Sequence, residues 1–287
     1  MSKSLLVGSV FASTQPQQVE WLELQSRYLA ATTHNFDHVV FVNHADTAAF
    51  DGKVKVIGNL KDDPTKIHSS VLHLHGLNCL RDYFLSSQDS YDGFLFLDND
   101  AFPVRKGWQS VLQHKMAAAD IAVIVRPEMC EFRWHVSVLF ANKGGLNDLE
   151  FKFSPMHYLG SMGKDFLGNV EDDLHINYQS ADMRDRVFPL LRTNQYNVHP
   201  VACGVYYDMF YHHTFGSEHG VKVERQPFAS LRHGGKYGYG NFYTDPQYRY
   251  REFYSSLMED PTGFIGKLAG WSKEEYPEIA GVVHGGL

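Results

Sequence analysis

Phe94-Leu95-Phe96-Leu97-Asp98-Asn99-Asp100-Ala101-Phe102-Pro103 runs from four consecutive apolar residues straight into two carboxylates separated by a single residue. A short apolar run bounded by Asp and Asn predicts a buried strand over residues 91–97 that opens into a turn. Two carboxylates this close repel one another unless a cation lies between or beside them. Hard divalent ions such as Mg²⁺ and Mn²⁺ take oxygen ligands, commonly one or two carboxylates together with substrate phosphates. A solvated strand-to-turn junction uses the same residue types for turn geometry alone. What favours the metal reading is the place of this strand in the chain.

Upstream, residues 5–11, 38–43 and 53–57 are short apolar runs of strand type. Between them, residues 17–31 read as a helix that buries Val19, Leu22, Leu24 and Leu29. Ile67, Val71, Leu74, Leu77, Leu80 and Phe84 recur at three- and four-residue spacing, the stripe of a second helix. Downstream come a helical segment over 108–119 and a strand over 121–125. This alternation predicts an α/β fold with a mostly parallel central sheet flanked by helices on both faces. In such sheets a ligand sits outside the carboxyl ends of the strands, where Asp98 and Asp100 fall. Past about residue 130 the alternation fades. Residues 134–141 read as an internal strand, 174–179 as a short helix, and 206–254, loaded with Tyr, His, Gly and Phe, as a loop-rich part. With no repeat or low-complexity linker, one domain over 1–287 is expected, its ligand-binding half about 1–130 and a second half about 131–287.

At 44% apolar and 21% charged residues the chain has the composition of a globular protein with a full core. A formal net charge of -7 argues against a nucleic-acid binder working through a broad basic surface. Three widely spaced cysteines form neither a disulfide framework nor a metal-ligand pair, which suits a reducing compartment. The N-terminal apolar run is broken at Gly8 and Ser9 and reads as a first strand rather than a signal peptide, and no stretch has the length of a membrane span. A cytoplasmic protein is expected.

An Asp-x-Asp after an apolar strand, about a hundred residues into an α/β chain, resembles the metal motif of GT-A (Rossmann-like) glycosyltransferases. The tail Ala101-Phe102-Pro103-Val104, followed by Gly107-Trp108, is similar to bacterial and phage members. The resemblance implies that Mn²⁺ or Mg²⁺ holds the diphosphate of a nucleotide-sugar donor, with Asp100 the direct ligand and Asp98 near the ribose and metal. It places Asn99 with Asp98 at the donor. His75-Gly76-Leu77-Asn78 resembles a segment packing beneath the donor, which adds His75 and Asn78; a half-buried helix face with satisfied histidines is the plainer reading.

Tyr211-His212-His213-Thr214 resembles the late histidine segment that completes the metal shell in several such enzymes, with His212 favoured over His213. Neutral imidazole is a suitable Mn²⁺ ligand, although two histidines in a polar loop need no metal. Glu171-Asp172-Asp173 resembles the place in related bacterial enzymes where an acidic residue precedes a short helix, which implies, for an inverting enzyme, a catalytic carboxylate that takes the proton of the attacking acceptor hydroxyl, Asp172 first among the three; the same acids also suit a helix N-terminus. The glycine-rich run 233–240 has neither P-loop nor dinucleotide-binding spacing, and reads either as a lid, with Arg232 and Lys236 meeting the leaving diphosphate, or as a plain surface loop.

The implied partners are a nucleoside-diphosphate-sugar donor and a glycan or glycoconjugate acceptor, against whose rings some of the 14% aromatic residues would stack. Two other readings stay open: a nucleotidyltransferase of similar architecture, although residues 12–17 lack its glycine-rich basic loop, and a catalytically silent carbohydrate- or nucleotide-binding protein. A zinc hydrolase is disfavoured, because His-x-Glu and His-Glu-x-x-His spacings are missing.

Overall fold

The computed structural model describes residues 5–11, 16–44, 46–60, 69–126, 133–149, 151, 186–191, 204–212, 257 and 259–265. Strand β1 (Leu5–Phe11) leads into helix α1 (Pro16–Thr32), then β2 (Phe36–Val42), β3 (Lys55–Asn59) and helix α2 (Ser69–Ser87). Next come β4 (Gly93–Asp98), β5 (Ala101–Pro103), α3 (Trp108–Lys115), β6 (Ile121–Arg126), β7 (Arg133–Asn142) and α4 (Lys143–Asp148). Strands β8 (Val187–Leu190), β9 (Gly204–Tyr206) and β10 (Phe210–His212) complete the described strands.

Seven strands form one sheet in the order β3-β2-β1-β4-β7-β6-β8. The pairs β1–β2, β1–β4, β2–β3 and β6–β8 are parallel, so the sheet is mostly parallel as the strand–helix alternation predicts. β7 is the exception, antiparallel to both β4 and β6. Only residues 127–132 join β6 to β7, and a parallel return needs a crossover of a dozen residues or more. The predicted helix over 108–119 ends earlier, at Lys115, with the Met116 N–H bonded to the Leu112 carbonyl.

Alternation along β1 and β4 sorts the core into two faces. Leu6, Val10, Phe94 and Phe96 pack with Leu72, Leu77, Leu80 and Phe84 of α2. On the other face Phe11 and Val40 pack with Trp21, Leu22 and Tyr28 of α1, and Leu5, Leu95 and Leu97 with Trp108 and Leu112 of α3. Glycine sets the spacing of α2 on the sheet: a Cβ at Gly8 would stand 2.6 Å from Phe84, and one at Gly76 would stand 2.6 Å from Val10.

A three-stranded antiparallel sheet, β5-β10-β9, is mounted on the α1/α3 face. Phe102 of β5 lies stacked on Tyr28 at 4.4 Å and tilted against Tyr211 at 5.3 Å, while Phe210 meets Trp108 edge-on at 4.9 Å. The β9–β10 hairpin turns through Tyr207 and Asp208 at φ of 51° and 52°, with the Met209 N–H bonded to the Tyr206 carbonyl at 3.0 Å. Two positive φ values in succession give the twist that a tight hairpin favours. The turn thereby delivers His212 beside Ala101, its register partner on β5.

Candidate metal centre

Asp98 ends β4, and Asn99 and Asp100 form the turn into β5. In a parallel sheet this is the carboxyl edge, which β1 and β2 share. Asp98, Asp100 and His212 each present a ligand atom, and the three atoms lie within 4.8 Å of one another. His212 Nε2 stands 3.6 Å from Asp98 Oδ2 and 3.6 Å from Asp100 Oδ1. The Asp100 and His212 side chains are 4% and 3% exposed and that of Asp98 is 16%, so the cluster opens to solvent on the Asp98 side. Two carboxylates this close repel by about 3 kcal/mol at an effective dielectric of 20. Two carboxylate oxygens and an imidazole nitrogen at such spacing are a set of atoms that could hold a divalent metal ion.

The turn is held from beneath. Gln25, buried on α1, donates from Nε2 to the backbone carbonyls of Asp98 at 2.9 Å and Ala101 at 2.7 Å. Its Oε1 accepts from Ser9 Oγ at 2.9 Å, and Ser9 Oγ lies 3.1 Å from His38 Nε2. A continuous polar chain thus runs from β2 through β1 and α1 to the backbone flanking the carboxylates. Burial pushes the His38 imidazole down to about 4 from its ordinary 6.5, so the ring is neutral at physiological pH. Asn99, also buried, donates its side-chain amide to Gln18 Oε1 in the first turns of α1.

Sequence reasoning missed His73. Its Nε2 lies 2.9 Å from Asp98 Oδ1, the carboxylate oxygen other than the one nearest His212. Gln18, Gln25, Ser9 and His38 were not singled out either. His75, two residues on and roughly 200° around the helix, is exposed; its ring meets Phe41 edge-on at 5.4 Å and its Nε2 lies 3.7 Å from Cys79 Sγ. Asn78 donates to the Phe151 carbonyl at 3.1 Å. His213, Glu171, Asp172, Asp173 and Lys236 lie outside the described residues. The signal that could have found His73 and Gln18 is positional: a helix that follows a parallel strand begins at that strand's carboxyl end, so its first turns border the site.

No family model matches the chain, and no curated protein matches it. Among solved structures it is similar to a glycosyltransferase involved in the glycosylation of the major capsid of PBCV-1, at 14% identity over 65% of this chain and 81% of that one, with a TM-score of 0.40. A galactosyltransferase solved with donor and acceptor sugar analogues gives 13% identity over 65% and 73%, with a TM-score of 0.39. A 4-diphosphocytidyl-2C-methyl-D-erythritol synthase from Anaerococcus prevotii gives 10% over 67% and 88%, with a TM-score of 0.38. Superpositions this loose carry no chemistry across, and the site stands on its own residues.

Proposed function

We infer that the chain is a metal-dependent glycosyltransferase of the GT-A type, moving a sugar from a nucleoside-diphosphate donor to a hydroxyl of a glycan or glycoconjugate. The observation that carries the reading is the convergence of Asp98, Asp100 and His212 on one buried point at the carboxyl edge of the parallel strands. Mn²⁺ or Mg²⁺ held there supplies Lewis-acid stabilisation of a departing diphosphate. The chain's own residues orient it: Gln25 fixes the turn, His212 closes the third side, and Asn99 is locked to Gln18.

In this reading His75, Asn78 and Lys236 serve the donor, and His213 is the alternative to His212 as a metal ligand. Asp172, with Glu171 and Asp173 as neighbours, takes the acceptor proton as the oxygen attacks the anomeric carbon. Residues 1–287 form one domain, the donor bound by about 1–130 and the acceptor by about 131–287. No helix among the described residues is long and apolar enough to cross a membrane; the proposed place of work is the cytoplasm.

The test is thermal unfolding of the intact protein and of Asp100→Ala against a panel of nucleoside diphosphates and nucleotide sugars, with and without Mn²⁺. A ligand at a hundred times its Kd stabilises by about 2.7 kcal/mol. A Mn²⁺-dependent rise for one nucleotide, lost in Asp100→Ala, is the expected result. No rise with any nucleotide would overturn the donor site and favour a carbohydrate-binding role.

A further inference from the structure

Gln25 Nε2 lies 2.9 Å from the Asp98 carbonyl and 2.7 Å from the Ala101 carbonyl. Carbonyls only accept, so the end of the amide that faces them is its NH₂ group, and both protons are used there. Oε1 is thereby turned to Ser9 Oγ, 2.9 Å away. An amide oxygen cannot donate, so the single Ser9 hydroxyl proton lies in that contact. Ser9 Oγ has then only lone pairs to offer His38 Nε2 at 3.1 Å, and the ring nitrogen carries the proton of that bond. Burial keeps the ring neutral, its pKa down at about 4, so Nδ1 is bare and His38 is the Nε2–H tautomer. Ser9 and Gln25 are both fully buried, where a misdirected donor finds no water to replace its partner.

We propose that His38 is a positioning residue for the turn that carries Asp98 and Asp100: its Nε2–H fixes the Ser9 hydroxyl proton on Gln25 Oε1, and so holds the Gln25 amide with both N–H groups on the carbonyls flanking the turn. The inference rests on the metal reading of the cluster. A ring with its proton on Nδ1 instead would draw the Ser9 proton to Nε2 and leave Gln25 Oε1 without a donor. The chain ends on backbone carbonyls, which take up no proton, so it orients and does not relay. Groups that support metal ligands from behind commonly change metal affinity roughly 10–100-fold when removed.

The test joins a spectrum to a titration, both on the intact protein. Long-range proton–nitrogen magnetic resonance of ¹⁵N-labelled wild type at neutral pH, with His38 assigned through its backbone, shows which ring nitrogen carries the proton. The Nε2–H tautomer is expected; Nδ1–H overturns the inference whether or not any variant folds. Mn²⁺ alone is then titrated into wild type, His38→Phe, Gln25→Met and the double variant, following free Mn²⁺ by its electron paramagnetic resonance signal. Each variant is checked for a native circular dichroism spectrum. Expected are saturable binding by wild type and a Kd raised roughly 10-fold in His38→Phe, the low end for a supporting group. In the Gln25→Met background, His38→Phe is expected to change the Kd by no more than about 2-fold, because its effect passes through Gln25. Wild-type affinity in His38→Phe, or an equal loss with and without Gln25, overturns the positioning role and leaves the metal reading standing. Absence of Mn²⁺ binding by wild type overturns the metal reading, and the positioning role with it.

Discussion

Replacing Gln25 by Met keeps the length and approximate volume of the side chain while deleting both amide groups. In the native protein Nε2 serves two carbonyls at once, those of Asp98 and Ala101, on either side of the Asp-Asn-Asp turn. A thioether cannot donate, so both carbonyls lose a donor in a region where Gln25 itself is buried. Each such loss costs about 1–3 kcal/mol, whereas Ser9 Oγ retains His38 and adds little. The sum, about 2–6 kcal/mol, is a large share of an ordinary domain stability of roughly 5–15 kcal/mol. At roughly 2–4 °C per kcal/mol for a chain of this size, the unfolding midpoint drops by roughly 4–24 °C. Urea unfolding gives the stability, and a Mn²⁺ titration of the folded variant gives the second readout. If Gln25 clamps the turn, the variant that still folds binds Mn²⁺ more weakly, because the carboxylates flank a backbone no longer held. Stability within about 0.5 kcal/mol of wild type, the ordinary range for a surface change, together with unchanged Mn²⁺ affinity, would refute the clamp.

Three further outcomes follow from the same geometry. His38 has a folded pKa of about 4 against an ordinary 6.5, so between those values the unfolded chain binds a proton that the folded chain excludes. Its contribution therefore falls as the pH drops through that window, by at most about 1 kcal/mol per pH unit. His38→Gln removes that component, so the acid limb of urea-unfolding stability becomes shallower; an unaltered slope would contradict the burial argument. Gly76→Ala sets a methyl 2.6 Å and 2.9 Å from the Val10 side chain and 3.1 Å from Phe41. Overpacking of this kind costs about 1–3 kcal/mol against about 1 kcal/mol gained in helix propensity, so a net loss is expected in the same unfolding assay, and a gain would show that α2 lifts freely. His212→Ala removes one of three ligand atoms and weakens Mn²⁺ binding more than roughly 100-fold, beyond the range for supporting groups; near-normal affinity in calorimetry would take His212 out of the shell.

The architecture was legible because it rests on period and spacing. The apolar runs at 5–11 and 91–97 reappear as β1 and β4, and the Leu74–Leu77–Leu80–Phe84 stripe is the face of α2 that packs on them. The Asp98–Asp100 pair was legible for a related reason, since a buried parallel strand ending in acids points them at the ligand edge. His212 was readable only as a residue type in a plausible late segment. Its partnership with Ala101 depends on β5 and β10 pairing across more than a hundred residues, and no local periodicity records such pairing.

The supporting shell was illegible for a different reason. Gln25 sits within a helix whose apolar neighbours fix its face, and a polar residue there looks like an ordinary helix position until its carbonyl partners are seen. The histidines of α2 make the point most sharply. His73 and His75 have the same chemistry two residues apart, and the helical twist sends one to Asp98 and the other to solvent. Reading the helix as a stripe finds the core; reading it from its first turns, where it leaves the carboxyl edge of the sheet, finds the residue that meets Asp98. In a strand–helix–strand unit the two readings answer different questions, because burial follows the angle around the helix axis while proximity to the site follows distance along it.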